Sequence, residues 1–207
     1  MMEKEGILGF PLYRFYYPKD KIQELEELKS NILMLNWRKN PQNWMWADSD
    51  KGKNLHDLPQ FTELFSWIND CLVEVKKDLK LSCESLSIVS SWANVNLHGE
   101  GFHDHIHPNA FASSNFYVSG PEDSFTVWHK ENPFFDNNIF PVTGDEDTHI
   151  YHYERTEPGK YVVFPPHFYH YSTPNSEIEE RVTVAANIFP EGLISADGVS
   201  RMRISVH

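Results

Sequence analysis

The chain has 207 residues, 40% of them hydrophobic and 14% aromatic, enough for one sizeable core and too apolar for a disordered protein. Its formal net charge of −12 argues against the basic face that phosphate neutralisation needs, so nucleic-acid binding is not expected. No run of about 18 or more apolar residues is available to span a membrane. Cys71 and Cys83, the only cysteines, are too few for a disulfide framework and lack zinc-site spacing. The first residues lack the basic start and apolar stretch of a secretory leader. Both features fit a protein of the reducing cytoplasm.

In chain order, residues 10–18 are aromatic and extended and read as a strand. Over 19–35, Ile22, Leu25, Leu28, Ile32 and Leu35 recur at helical spacing among charges, which predicts an amphipathic helix. Residues 36–55 are polar, with Trp37, Trp44 and Trp46 interspersed, and read as a long loop. A second helix follows Pro59, with Phe61, Leu64, Phe65, Ile68, Leu72 and Val75 as its buried stripe. Beyond Leu81 the period shortens to two. Strands are expected over 86–96, 111–119, 125–129, 149–153, 161–164, 168–172, 181–189 and 201–206, separated by Pro, Gly, Asn and Asp. The acidic stretch 136–147 reads as an exposed insertion. The pattern predicts one α+β domain over 1–207, with a helical part at about 1–82 and a jelly-roll core at about 86–207.

The chemistry is carried by histidines. His103, His105 and His107 alternate, so in a regular strand they share one face and His105 and His107 can reach one ion, whereas Asp104 points away. Imidazole suits iron, copper, zinc and nickel, so the cluster alone names no metal. A second feature is the apolar strand ending at Pro165-Pro166 and followed by His170; eleven residues later Arg181 opens another apolar strand. After Glu177, Glu179 and Glu180, Arg181 could form a surface ion pair, or it could face inward and bind a carboxylate with its guanidinium fork. Trp92, Phe116, Tyr117, Phe168 and Tyr169 are candidates for pocket walls or for ordinary core.

Taken together, Trp92-Ala93-Asn94-Val95-Asn96, His105-Ile106-His107-Pro108-Asn109, Ser113-Ser114-Asn115-Phe116-Tyr117-Val118, residues 158–166, His170 and residues 181–187 resemble a known family. It is that of the 2-oxoglutarate- and Fe(II)-dependent oxygenases of bacteria and bacteriophages, distant relatives of prolyl hydroxylases. The resemblance spans about residues 86–190. It implies a double-stranded β-helix, cupin-like, with the N-terminal helices packed against it. It implies Fe(II) held by His105, His107 and His170, with His103 in reserve, and Arg181 on the far carboxylate of 2-oxoglutarate. Tyr117 and Asn187 are implied as further cofactor contacts. His107 stands where most such oxygenases carry a carboxylate; the 2-oxoglutarate dianion would balance the resulting site charge.

Two other readings follow from the same residues. A cupin-like three-histidine dioxygenase without 2-oxoglutarate explains His107 but gives Arg181 no task. A non-enzymatic jelly-roll binding or structural protein makes the histidines incidental. No residue pattern says whether the prime substrate is a small molecule or a protein, and a homodimer is compatible with the sequence.

Overall fold

A computed structural model describes residues 1–39, 45–47, 54–131, 149–194 and 202–205. The expected insertion at 136–147 and most of the tryptophan-rich stretch at 36–55, Trp44 included, lie outside these residues. Two helices form where the apolar period is 3.6: α1 (Glu24–Leu33) and α2 (Thr62–Asp78). The first is shorter than the periodicity predicts, because the chain leaves Pro18 through a 3-10 turn at Lys19–Lys21. No described helix is long and apolar enough to cross a membrane.

The strands are β1 (Glu3–Ile7), β2 (Phe10–Tyr16), β3 (Arg38–Lys39), β4 (Met45–Ala47), β5 (Ser85–Asn96) and β6 (Ala112–Ser119). They continue as β7 (Phe125–Glu131), β8 (His149–Arg155), β9 (Lys160–Phe164), β10 (Tyr169–Ser172), β11 (Arg181–Ile194) and β12 (Met202–Ile204). Among the described residues they make two antiparallel sheets. The larger runs β1-β2-β9-β6-β11-β5-β4-β3, with β12 on β11, and the smaller runs β10-β7-β8. The sheets face one another without closing, as a double-stranded β-helix with helices on its outer face.

Alternation along the strands sorts the two layers. On the helix side, Phe116 and Val118 of β6, Tyr161 and Val163 of β9, and Val182, Val184, Ala186 and Ile188 of β11 meet Leu64, Phe65, Ile68, Leu72 and Val75 of α2. The intervening residues point toward the smaller sheet. There Leu12, Tyr117, Val162 and Phe164 pack with Trp128 and Phe168 at one end. Along β5 and β11 the same inner face is polar, with Asn94 paired to Thr183 and Asn96 to Arg181. A polar strip inside a two-layer fold lines a cavity, because buried polar groups need partners.

Three expectations change. The N-terminal strand is half of a hairpin, β1–β2. The loop at 36–55 contains the short pair β3–β4. Residues 103–107 are not a strand; they are an extended segment joined to β10 by a single bridge at His105 and His170, which exchange both backbone hydrogen bonds at 3.0 Å. His107 N–H then donates to Pro166 O at 2.9 Å, so the segment curls over the end of β9.

Candidate metal centre

Strand alternation therefore does not bring the histidines together. The bridge does: it sets His105 directly beside His170, and the turn to Pro166 carries His107 in from a third direction. One ligand atom from each of His105, His107 and His170 lies within 4.8 Å of the others. The His107 and His170 Nε2 atoms are 3.2 Å apart, near the roughly 3 Å expected of two nitrogens at right angles on one ion about 2.1 Å away. The rings stand 4.3 Å (His105–His170), 5.0 Å (His107–His170) and 5.1 Å (His105–His107) apart.

Neighbouring groups aim these rings. His105 Nδ1 donates to the His103 carbonyl at 2.8 Å, and His170 Nδ1 to the Phe168 carbonyl at 2.9 Å. A carbonyl can only accept, so each Nδ1 carries the proton and each Nε2 keeps its lone pair. The His107 ring is hydrogen-bonded by Asn187, whose Oδ1 also accepts from Ser113 Oγ at 3.0 Å. Burial is the largest influence on all three pKa values: it lowers that of His105, takes His107 down to about 4, and drops His170 well below its ordinary value. All three are thus neutral near pH 7, the state a metal ligand needs. His103 lines the cavity, but its ring is not part of the converging set. Asp104 instead meets His129 Nε2 at 2.9 Å.

The three histidines open onto a cavity of about 470 Å³ that also reaches Arg181. Arg181 is 1% exposed, and among the described residues it has no carboxylate partner; the surface-pair reading with the nearby glutamates is overturned. Its acceptors are Asn96 Oδ1, Ser124 Oγ, Thr173 O and Ser172 Oγ, all neutral. Burial lowers its pKa to about 10, so it stays charged at neutral pH. Gly120 makes room for it: a Cβ there would stand 3.0 Å from Arg181 Cγ.

The donor set fits a divalent metal, and the uncompensated guanidinium fits an anion bound beside it. Tyr117 does not line the cavity; its hydroxyl donates to Thr126 Oγ1 at 2.9 Å, and Thr126 does line it. Of the proposed aromatic walls, Trp92 lines the cavity. Phe116 packs on Tyr17 and Trp67 on the helix side, and Tyr169 is exposed. Sequence reasoning missed Asn96, Ser124, Ser172 and Thr173 as the setting of Arg181. The alternation Trp92-x-Asn94-x-Asn96 was the one available signal, since polar residues on alternate positions of a buried strand must face something polar.

Residues 90–187 match the family model described as "Putative 2OG-Fe(II) oxygenase". No curated protein matches the chain. Among solved structures, a Pseudomonas putida prolyl-4-hydroxylase is similar at 13% identity and a TM-score of 0.58, over 87% of this chain and 93% of that one. The non-heme alpha ketoglutarate dependent epimerase SnoN from nogalamycin biosynthesis is similar at 10% identity and a TM-score of 0.62, over 91% of this chain and 82% of that one. HygX from Streptomyces hygroscopicus, crystallised with nickel, 2-oxoglutarate and hygromycin B, is similar at 12% identity and a TM-score of 0.57, over 86% and 82%. At such identities these neighbours bear on the fold, and the family match bears on the chemistry.

Proposed function

We infer, from the match of residues 90–187 to the 2OG-Fe(II) oxygenase family model, that the chain is such an oxygenase, that His105, His107 and His170 hold its iron(II) and that Arg181 supplies the positive charge for the far carboxylate of 2-oxoglutarate. The observation that carries these assignments is the meeting, in one cavity, of three neutral imidazoles and a buried guanidinium that has no carboxylate partner among the described residues. When bound, iron(II) and 2-oxoglutarate supply the activation of dioxygen, coupled to oxidative decarboxylation of the keto acid. The chain's own part is to hold and orient. The His103 and Phe168 carbonyls keep two ligand lone pairs pointed at one place, and Asn187 steadies the third ring. Three imidazoles leave the metal's +2 charge intact, and the dianion that balances it is drawn in by Arg181 as well. Tyr117 acts one step back from the ligand, by fixing Thr126. The prime substrate, a small molecule or a protein side chain, takes the rest of the cavity, with Trp92 as one wall.

The cupin-like alternative without 2-oxoglutarate leaves Arg181 as a buried charge with no anion, an expensive arrangement to maintain for no ligand. Iron-loaded protein is expected to convert 2-oxoglutarate to succinate in air. Arg181→Ala should weaken 2-oxoglutarate binding by about 100-fold, equivalent to about 2.7 kcal/mol, with metal stoichiometry unchanged. Loss of metal in that variant, or iron-loaded protein that neither binds nor consumes 2-oxoglutarate, would overturn the assignment.

A further inference from the structure

A second depression lies between α2 and the first part of β5, and it shares no lining residue with the metal cavity. It is a groove of about 880 Å³. Phe65, Leu86 and Ile88 give it an apolar floor, and Lys76, Lys77 and Lys80 line it at the C-terminal end of α2. On a chain with a net charge of −12 this is a local exception. Among the described residues the lysine ion pairs belong to Lys4, Lys21, Lys29 and Lys160, and the three groove lysines make none. Glu84, the carboxylate in the lining, is taken by Arg203 at 3.3 Å. The helix dipole favours cations in the last turn, which accounts for Lys76 and Lys77. Lys80 stands past the end of α2, at φ +53, in the left-handed position where glycine is the ordinary choice.

The other side of the groove is an open sheet edge. Strand β5 pairs with β11 along its whole length, but on its second edge β4 reaches only Ala93 to Val95. Ser91 N–H is then taken by Asn54 Oδ1 at 3.2 Å. From Ser85 to Ile88 no described strand covers that edge, and these same residues line the groove. Their register with Glu191 to Ile188 is regular, the bulge falling beyond it. A strand paired on one side sends alternate N–H and C=O groups to the other, and proteins guard such edges with charge or proline. Ser85-Leu86-Ser87-Ile88 carries neither.

We propose that this groove docks an extended acidic segment of a partner protein, which adds as a strand to β5 at Ser85–Ile88 and sets its carboxylates against Lys76, Lys77 and Lys80. Main-chain bonds to the edge supply affinity, and the lysines supply the preference for acid. A second copy of this chain is the poorer occupant: edge-to-edge pairing brings two basic grooves together with no free acid in the lining of either.

The test pans a random heptapeptide library on phage against the full chain at about 50 mM salt, where surface charges are weakly screened. Peptides with two or more Asp or Glu are expected to be enriched. A synthetic copy of an enriched peptide should protect amides within residues 84–89 from hydrogen exchange, and should bind about tenfold more weakly at about 0.5 M salt. The triple variant Lys76→Glu, Lys77→Glu, Lys80→Glu should also lose about tenfold or more in affinity. Metal-free and zinc-loaded protein should bind the peptide alike, so the outcome is independent of the iron reading. Selection without acidic enrichment, affinity within threefold of wild type in the triple variant, or protection outside the β5 edge overturns the proposal. So does a wild-type dimer that protects the same amides, which makes the occupant a second copy. If the triple variant does not fold, the salt dependence and the exchange map decide.

Discussion

Two residues show how far a neighbour can set a side chain's chemistry. Asn187, implied by family resemblance as a cofactor contact, is hydrogen-bonded to the His107 ring and so orients a candidate metal ligand. Asn187→Ala is expected to lower metal affinity by about 10- to 100-fold without abolishing folding, read by competition against a chromophoric chelator. On the smaller sheet, Glu154 of β8 is 4% exposed and takes bonds from Arg14, Lys160 and His152. Burial pushes its carboxyl up, but the bonds from His152, Arg14 and Lys160 outweigh it and hold the pKa down to about 2. A carboxyl depressed in the folded state stabilises the fold fully above its unfolded pKa, 4.5, and loses that contribution as pH falls toward 2. Glu154→Gln should therefore cost about 3 kcal/mol or more at pH 7 by leaving buried cations unpaired, and its deficit relative to wild type should shrink between pH 4.5 and 2. A deficit that stays constant through that window, measured by urea unfolding, would show that the network is not what depresses Glu154.

At the scale of elements, β6 and β11 carry two jobs on alternate residues. Phe116 is fully buried on the helix face, against Tyr17 and Trp67, while Asn115 next to it lines the cavity. Phe116→Ala should cost about 3–5 kcal/mol in denaturant unfolding while folded protein keeps its metal stoichiometry. A metal deficit in folded Phe116→Ala would mean that the two faces are coupled. Helix α2 was legible because six apolar residues repeat on one stripe of a long segment. Strand β1 was not: Glu3 to Gly6 are all exposed, and a solvated edge strand leaves no alternation to read. The strands β3 and β4, two and three residues long, are shorter than any period can mark.

For the whole molecule, ligands that bind only the folded chain must stabilise it. Metal with 2-oxoglutarate at about 100 times its Kd should add about 2.7 kcal/mol, raising the midpoint of thermal unfolding by roughly 5–10 °C for a chain of this size. Removal of metal by a chelator should reverse the shift, and no shift in metal-loaded protein would count against a shared site. The residue types for such a site were readable along the chain: three imidazoles close in sequence or after a strand-breaking Pro-Pro, and an arginine opening an apolar strand. The two helices and most strands were readable too, because periodicity is local. Only the tertiary structure decided that His107 arrives by a turn onto Pro166 rather than by strand alternation, that Tyr117 reaches only as far as Thr126, and that Asn96 faces Arg181 across 85 positions of sequence. Those facts depend on antiparallel register and on which face of a sheet a second sheet covers, and neither is encoded in the spacing of residues along one strand.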